Sequence, residues 1–378
     1  VRKASHFIIK FSVNGMASAT KLTFIGRRIM SNSRLLSTST RAPPSAVFLN
    51  AGRLDYDGAL DFGRLSSITS LTLHRVDGLN YANDPEEIVR RVKECDAEII
   101  ITKEMELPAS AVRAFGPSVR LICEAGTGYN NIPVREAHDR DVDVCNVPEY
   151  STDAVAHMAV TYLMNFSSSM FQQQAMLLRG DRSNFTDRMT VPLSELGGKT
   201  LGLVGGAGRI GSRVADVALA LGMDVIVSSR AGRLPEGHRL AGHARVRTVA
   251  DVDGLLLPVA DYVSIHCPLN DETRGSFGRK QIERMKPSAF LINTARGAIL
   301  DEAELIECMR EGLIAGAGLD TQSSEPPPQD SGLWTLPNVW MTPHAGWRRL
   351  ETRQRLIDQI ADNIEAYISA GKATNIVN

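Results

Sequence analysis

The 378-residue chain has no run of about 18 or more apolar residues, so no segment of it reads as a membrane-spanning helix. Cysteine is scarce. The five (Cys95, Cys123, Cys145, Cys267, Cys308) are odd in number, well separated and without metal-type spacing, which fits reduced thiols rather than a disulfide framework or a metal site. Acidic residues are missing from the first 50 positions, which hold eight Lys or Arg. The rest of the chain then carries 34 basic against 43 acidic residues, a net charge of −9. An acidic body lacks the basic surface that phosphate backbones require, so nucleic acid is excluded as a partner. Internal repeats and low-complexity segments are absent too. What is present, 43% hydrophobic and 22% charged residues, belongs to an ordinary globular protein long enough for two domains.

The acid-free start is basic and Ser-rich, the composition of a mitochondrial transit peptide. Within it, residues Lys21–Met30 mix apolar and basic side chains as an import helix does. The alternative is a disordered tail or translated leader with Met16 as the true start, which leaves the protein cytoplasmic. Residues 1–45 are set apart from the fold on either reading.

After Pro43-Pro44 the pattern becomes regular. Strand-like apolar runs stand at 46–50, 70–74, 97–102, 119–123 and 142–145. A helix follows the second, capped by Asn83 or Asp84, with Pro85 in its first turn and Ile88, Val89 and Val92 on one face. From Ser151 a long apolar helical stretch runs to about Leu178. A second series of strands follows at 201–204, 225–227, 262–266, 290–293, 315–319 and 339–342. Strands alternating with helices predict an α/β fold of two units, each a parallel sheet covered on both faces, with a crossover near Tyr150.

Gly206-Ala-Gly208-Arg-Ile-Gly211 matches G-x-G-x-x-G, with a strand leading in and an amphipathic helix leading out through Ile210, Val214, Val217, Ala218 and Leu221. That context predicts a dinucleotide turn, in which the glycines let backbone and helix N-terminus approach a pyrophosphate. NAD-binding units place an Asp or Glu about 20 residues further on, against the ribose 2′-hydroxyl. Here the strand ends Ser228-Ser229-Arg230, with Arg233 nearby. Small hydroxyls and arginines suit a 2′-phosphate, so NADP(H) is the expected cofactor and NAD(H) the second choice.

Three later segments follow successive strands: Asn293-Thr-Ala-Arg296-Gly, Asp320 through Glu325-Pro, and Thr342-Pro-His344. Reducing a ketone needs a proton donor near neutral pH, and imidazole starts near ~6.5. A carboxylate beside an imidazole favours its charged form and holds the ring in orientation. An arginine at the same rim would bind a carboxylate substrate bidentately and polarise its carbonyl.

With those segments in hand, the chain from about Ala46 to Asn378 resembles the D-isomer-specific 2-hydroxyacid dehydrogenases. The motifs carrying the likeness are the glycine turn, His266-Cys-Pro-Leu269 with Glu272-Thr273, Met285 through Asn293-Thr294-Ala-Arg296-Gly297, Gly318-Leu-Asp320 through Glu325-Pro326, and Thr342-Pro-His344. Within the family it is most similar to glycerate dehydrogenases, or hydroxypyruvate reductases, through Gly126-Thr-Gly-Tyr-Asn-Asn131, Cys145-Asn-Val-Pro148 with Tyr150-Ser-Thr-Asp153, Trp347, and Asn375-Ile-Val-Asn378.

The resemblance implies His344 as general acid/base, Glu325 as its partner and Arg296 as the clamp on the substrate carboxylate, aided by the amides of Thr127 and Gly128. It implies cofactor contacts at Gly206, Gly208, Arg209, Ile210, Gly211, Ser229, Arg230, His266, Pro268, Thr273 and Thr294. Asp320 would hold the nicotinamide carboxamide, and no metal is involved. Two Rossmann-like domains are implied. The substrate domain is discontinuous (46–150 and 345–378) around an inserted dinucleotide-binding domain (151–344). A homodimer would form through the insertion at 171–193.

Hydroxypyruvate and glyoxylate are the expected 2-ketoacids, with branched or aromatic ones left open. Trp347 either shapes the substrate pocket or packs at the domain interface. A dinucleotide-sensing corepressor is the alternative function on this fold, and phosphoglycerate dehydrogenase a second rival. One departure stands out. Val204-Gly205-Gly206-Ala-Gly208 is a residue longer than the family's Val-Gly-x-Gly, which puts the role of Gly206 in doubt.

Overall fold

In a computed structural model, residues 42–75, 84–186 and 188–378 are described. The basic leader lies outside them apart from its last residues, as does Asn83. The first sheet comprises β1 (Ser45–Phe48), β2 (Ser70–Leu73), β3 (Ile99–Thr102), β4 (Leu121–Glu124) and β5 (Asp143–Cys145), all parallel in the order β2-β1-β3-β4-β5. Its helices are α1 (Gly63–Ile68), α2 (Pro85–Glu94), α3 (Ala109–Ala114) and α4 (Val134–His138). Two more, α5 (Thr152–Ser168) and α6 (Met170–Leu178), lead to the second sheet.

The second sheet holds β6 (Thr200–Val204), β7 (Asp224–Ser228), β8 (Val246–Val249), β9 (Tyr262–Ile265), β10 (Phe290–Asn293), β11 (Gly316–Leu319) and β12 (Val339–Met341). They too are parallel, in the order β12-β11-β10-β9-β6-β7-β8. The intervening helices are α7 (Arg209–Ala220), α8 (Val252–Leu255), α9 (Arg279–Ile282) and α10 (Glu302–Glu311). A final long helix, α11 (Leu350–Ala370), ends the chain's regular structure.

Side chains alternate across each strand, so both faces of a covered sheet must be apolar. Ile99 and Ile101 point into a core with Phe48, Trp347 and the α11 residues Leu356, Ile360 and Ile364. Ile100 points the other way, to Ile88, Val92 and Val112. Thus the last helix returns to the first sheet, and Cys145 bridges Ile376 beside it. On the second sheet Leu201 and Leu203 pack with Tyr162, Phe166, Val214 and Ala218, while Val263 and Ile265 face Leu256 and Leu291.

Two expectations need correcting. The helix from Ser151 is broken at Ser169, which takes a left-handed φ of 48°. The Asn165 side chain accepts from the Phe171 N–H at 2.7 Å and so starts a new helix. The edge strand β8 is not among the expected strands, because Val-Arg-Thr-Val alternates polar residues with an open face and reads as loop. Asp84 caps α2, accepting from the Glu86 N–H at 3.0 Å.

Candidate active site

The β6–α7 turn answers the question raised by the extra glycine. Gly205 takes φ +77°, and a Cβ there would lie 2.6 Å from the Cys267 backbone nitrogen. Its N–H donates to Ser228 Oγ at 2.9 Å. Gly205 therefore turns the chain, and Gly206 lies beneath α7, where a Cβ on Gly211 would sit 2.5 Å from the Gly206 Cα. Gly206 thus serves helix-to-turn packing. Gly208, at the N-cap of α7 and exposed, leaves the helix N-terminus open to an anion.

Ligands bind beyond the carboxyl ends of strands in open parallel sheets. A cleft of about 540 Å³ lies at those ends, lined by Lys103, Glu104, Thr127, Gly128, Tyr150 and Trp347 on one side. Ile210, His266, Pro268, Thr294, Arg296, Asp320 and His344 line it on the other.

Arg296 follows β10. The buried Asn293 side chain fixes the loop, donating to the Arg296 carbonyl (2.8 Å) and accepting from the Ala295 N–H (3.0 Å). The guanidinium lies against the turn after β4, where a Cβ added at Gly128 would be 2.1 Å from Nη2. That turn is held in place by Asn146, which donates to the Thr127 carbonyl at 2.7 Å. The expected clamp residues Arg296, Thr127 and Gly128 thus come together.

His344 Nδ1 is 2.8 Å from Glu325 Oε2. The histidine backbone is left-handed, φ 49°, which costs a non-glycine residue on the order of 1 kcal/mol or more and needs support. Its N–H reaches the carbonyls of Asp320 and Thr342, both at 2.9 Å. The Asp320 carboxylate accepts from Thr342 Oγ1 (2.5 Å) and from the N–H groups of Ala345 (2.8 Å) and Gly346 (2.9 Å). Burial pushes the Asp320 pKa up, against the pull of these bonds. In this structure Asp320 grips the His344 loop.

Several expected cofactor residues do not line the cleft. Ser229 Oγ donates to the Arg233 carbonyl (2.8 Å), and Arg230 pairs with Glu272 on the loop after β9, both side chains exposed. Arg209 pairs with Glu149. Thr273 Oγ1 donates to the Pro268 carbonyl (2.7 Å), shaping that loop rather than facing a ligand. His266 lines the cleft with its ring 2.9 Å from Ser264 Oγ, and burial lowers its pKa to about 4. The buried Thr294 Oγ1 has no hydrogen-bond partner. An orphaned hydroxyl and an apolar Ile210 in one cleft, with Ile210 in the first turn of the helix whose N-terminus is open, fit a dinucleotide.

Sequence reasoning missed Lys103 and Glu104, just past β3. Lys103 Nζ is buried 2.8 Å from Glu104 Oε1 and 4.0 Å above the centre of the Trp347 ring. Glu104 Oε2 is 3.1 Å from Arg53, and Oε1 is 3.7 Å from His344 Nε2. Burial alone would raise the Glu104 pKa, but Lys103, then His344 and Arg53, hold it well below the usual carboxylate range. Beneath it, Glu124 accepts from Thr102 Oγ1 (2.7 Å), Asn131 Nδ2 (3.0 Å) and the Glu104 N–H (3.0 Å), and its burial pushes that carboxyl's pKa up. The signal was three isoleucines ending in Thr-Lys-Glu at a strand's carboxyl end. Among the described residues no three His, Cys, Asp or Glu gather as metal ligands, and no helix is long and apolar enough to cross a membrane.

Comparison with known proteins gives the family. Residues 160–346 match the family model described as D-isomer specific 2-hydroxyacid dehydrogenase, NAD binding domain. A hydroxypyruvate reductase of Blautia hydrogenotrophica is 32% identical over 334 residues, 87% of this chain and 97% of its own length. Among solved structures, an NADPH-dependent glyoxylate/hydroxypyruvate reductase of Sinorhizobium meliloti, in complex with NADP and malonate, superposes with a TM-score of 0.72 at 26% identity, over 89% of this chain and 97% of that one. A D-lactate dehydrogenase with NAD+ from Lactobacillus jensenii gives 0.69 at 28% identity over 88% and 99%. The chain belongs to the D-isomer-specific 2-hydroxyacid dehydrogenases, NAD(P)-dependent oxidoreductases that act on a CH–OH group.

Proposed function

We propose that the protein reduces hydroxypyruvate or glyoxylate to the D-2-hydroxy acid with NADPH. The observation that carries the reading is a carboxylate clamp and a histidine facing one cleft, the histidine paired with Glu325 through its other ring nitrogen. The substrate carboxylate lies on Arg296 and the amides of Thr127 and Gly128, which fixes the ketone oxygen near His344. A reduced nicotinamide, when bound, would supply the hydride that C2 accepts. His344 gives its Nε2 proton to the ketone oxygen, and Glu325 stabilises the imidazolium and keeps the ring aimed. In the oxidative direction Nε2 accepts the hydroxyl proton.

Gly208 and the α7 N-terminus would hold the cofactor pyrophosphate, with Arg209 and Ile210 beside it. Thr294 and Asp320 would face the nicotinamide end, and His266 and Pro268 the adenosine ribose. Arg230, with Ser229, would meet a 2′-phosphate. The NADP complex of the Sinorhizobium meliloti relative supports that choice. Chiral chromatography of the product tests the reading: D-glycerate from hydroxypyruvate is expected, and L-glycerate would overturn it.

The protein acts as a homodimer. Met164, Met170, Leu177, Leu178, Phe185 and Leu193 are exposed large apolar side chains on α5, α6 and the segment after them, a concentration that suits a second copy. Light scattering at twice the 41.1 kDa chain mass is the expected result, and a monomer at working concentration would reject it. The acid-free leader directs the protein to mitochondria, which a reporter fused to residues 1–45 would display.

A further inference from the structure

Glu104 stands 3.7 Å from His344 Nε2, the ring nitrogen left free by Glu325, which takes Nδ1. That separation is too long for a hydrogen bond, so a small group bound at Nε2 comes within reach of the carboxylate. Lys103 and Arg53 occupy one side of each Glu104 oxygen, and the side chain remains 18% exposed. Held ionised, Glu104 is an acceptor only, with lone pairs to spare. Lys103 cannot turn to the ligand. It is 1% exposed, bonded to Glu104 and seated on the Trp347 ring.

With a 2-ketoacid's carboxylate on Arg296 and its oxygen at His344, Glu104, 3.7 Å from that ring nitrogen and on the cleft lining with Tyr150 and Trp347, would stand beside the remaining substituent of C2. We propose that Glu104 is a specificity-determining residue that accepts a hydrogen bond from a hydroxyl on C3 of the substrate. The inference rests on the reading of the protein as a 2-ketoacid reductase. A C3 hydroxyl restores to Glu104 the hydrogen bond that water loses on entry. A methyl group strips the carboxylate of water and returns nothing, and an anionic substituent is repelled. A polar wall built for a hydroxyl discriminates strongly against the analogue lacking it.

The test compares kcat/KM for hydroxypyruvate and pyruvate, which differ by that hydroxyl. The native enzyme prefers hydroxypyruvate by roughly 10- to 100-fold, less than a fully buried site would achieve because Glu104 keeps some water. Glu104→Gln keeps a weaker acceptor and lowers the ratio. A double variant, Lys103→Met with Glu104→Leu, removes both charges together, so the buried lysine is not stranded and only the 22% exposed Arg53 loses a partner, and it brings the ratio close to unity. NADPH binding and a thermal melt establish that each variant is folded, and the double variant decides if the single one is not. A native ratio near one, or a ratio unmoved in the double variant, overturns the proposal while leaving the reductase reading intact. Native protein that turns over neither ketoacid removes that reading and the inference with it.

Discussion

Gly128 and Arg296 touch across the cleft, so that a Cβ at position 128 would lie 2.1 Å from the guanidinium Nη2. The contact brings the turn after β4 in the first sheet against the loop after β10 in the second. Gly128→Ala must displace the arginine. Displacements of about 1 Å at a positioning group can cost on the order of 100-fold in rate, so kcat/KM for the ketoacid should fall by about that factor. NADPH affinity, measured by fluorescence titration, should stay as it was. An unchanged kcat/KM would show that the clamp does not depend on this contact.

The pairing of Glu325 with His344 predicts a different signature. On the proposed mechanism Glu325→Gln keeps the shape but loses the charge that would stabilise an imidazolium at His344, so kcat should drop by roughly 10- to 1000-fold with little change in KM. Steady-state kinetics with saturating NADPH separate the two parameters. A rise in KM at constant kcat would place Glu325 in substrate binding instead.

Arg230 is tied to Glu272, and both side chains are exposed. A 2′-phosphate would have to compete with that carboxylate for the guanidinium. Arg230→Ala should therefore lower the NADPH-over-NADH ratio of kcat/KM by about 10-fold or more, and Glu272→Gln should raise it. Salt weakens exposed charge pairs, so the ratio should also shrink as ionic strength rises. A ratio indifferent to both substitutions would assign cofactor choice elsewhere.

Most of this architecture is written in patterns that one chain displays by itself. Apolar runs marked the strands of both sheets because parallel strands are buried on two faces. Arg296, Glu325 and His344 stand just past β10, β11 and β12, at the rim where open parallel sheets bind ligands, and their place in the strand pattern singled them out. The edge strand β8 escaped because only one of its residues, Val249, is fully buried, so its sequence carries no core signature. The Ser169 break depends on a side-chain cap from Asn165, six residues before the amide it receives, which periodicity cannot register. Lys103 and Glu104 read as solvated charges. Only the fold, which sets Trp347 under the lysine and His344 beside the glutamate, shows them to be interior. The doubled glycine is equally silent in sequence, since which residue turns the chain is a matter of φ.

His266 links the cleft to acid stability. In the unfolded chain its imidazole takes a proton near the ordinary 6.5, whereas burial keeps it neutral in the folded protein down to about 4. The unfolded state binds the extra proton first. Stability from this group is therefore full above pH 6.5 and is lost as the pH falls from there towards 4. Between pH 7 and 5 the loss amounts to at most about 2 kcal/mol. Urea unfolding of the native protein and of His266→Gln at both pH values isolates it, the variant losing less stability. Equal losses would mean that His266 protonates freely in the fold.

The central claim is that His344 passes a proton to a 2-ketoacid while the nicotinamide supplies the hydride. Absorbance of the reduced nicotinamide tests it most directly, with purified protein, NADPH and hydroxypyruvate, beside the same mixture containing His344→Ala. Rapid loss of absorbance in the first and almost none in the second, at equal NADPH binding, is the predicted result. Turnover that survives the loss of His344 would contradict the mechanism. Failure of the native protein to oxidise NADPH with any small 2-ketoacid, despite binding the dinucleotide, would contradict the proposed activity and favour a dinucleotide sensor.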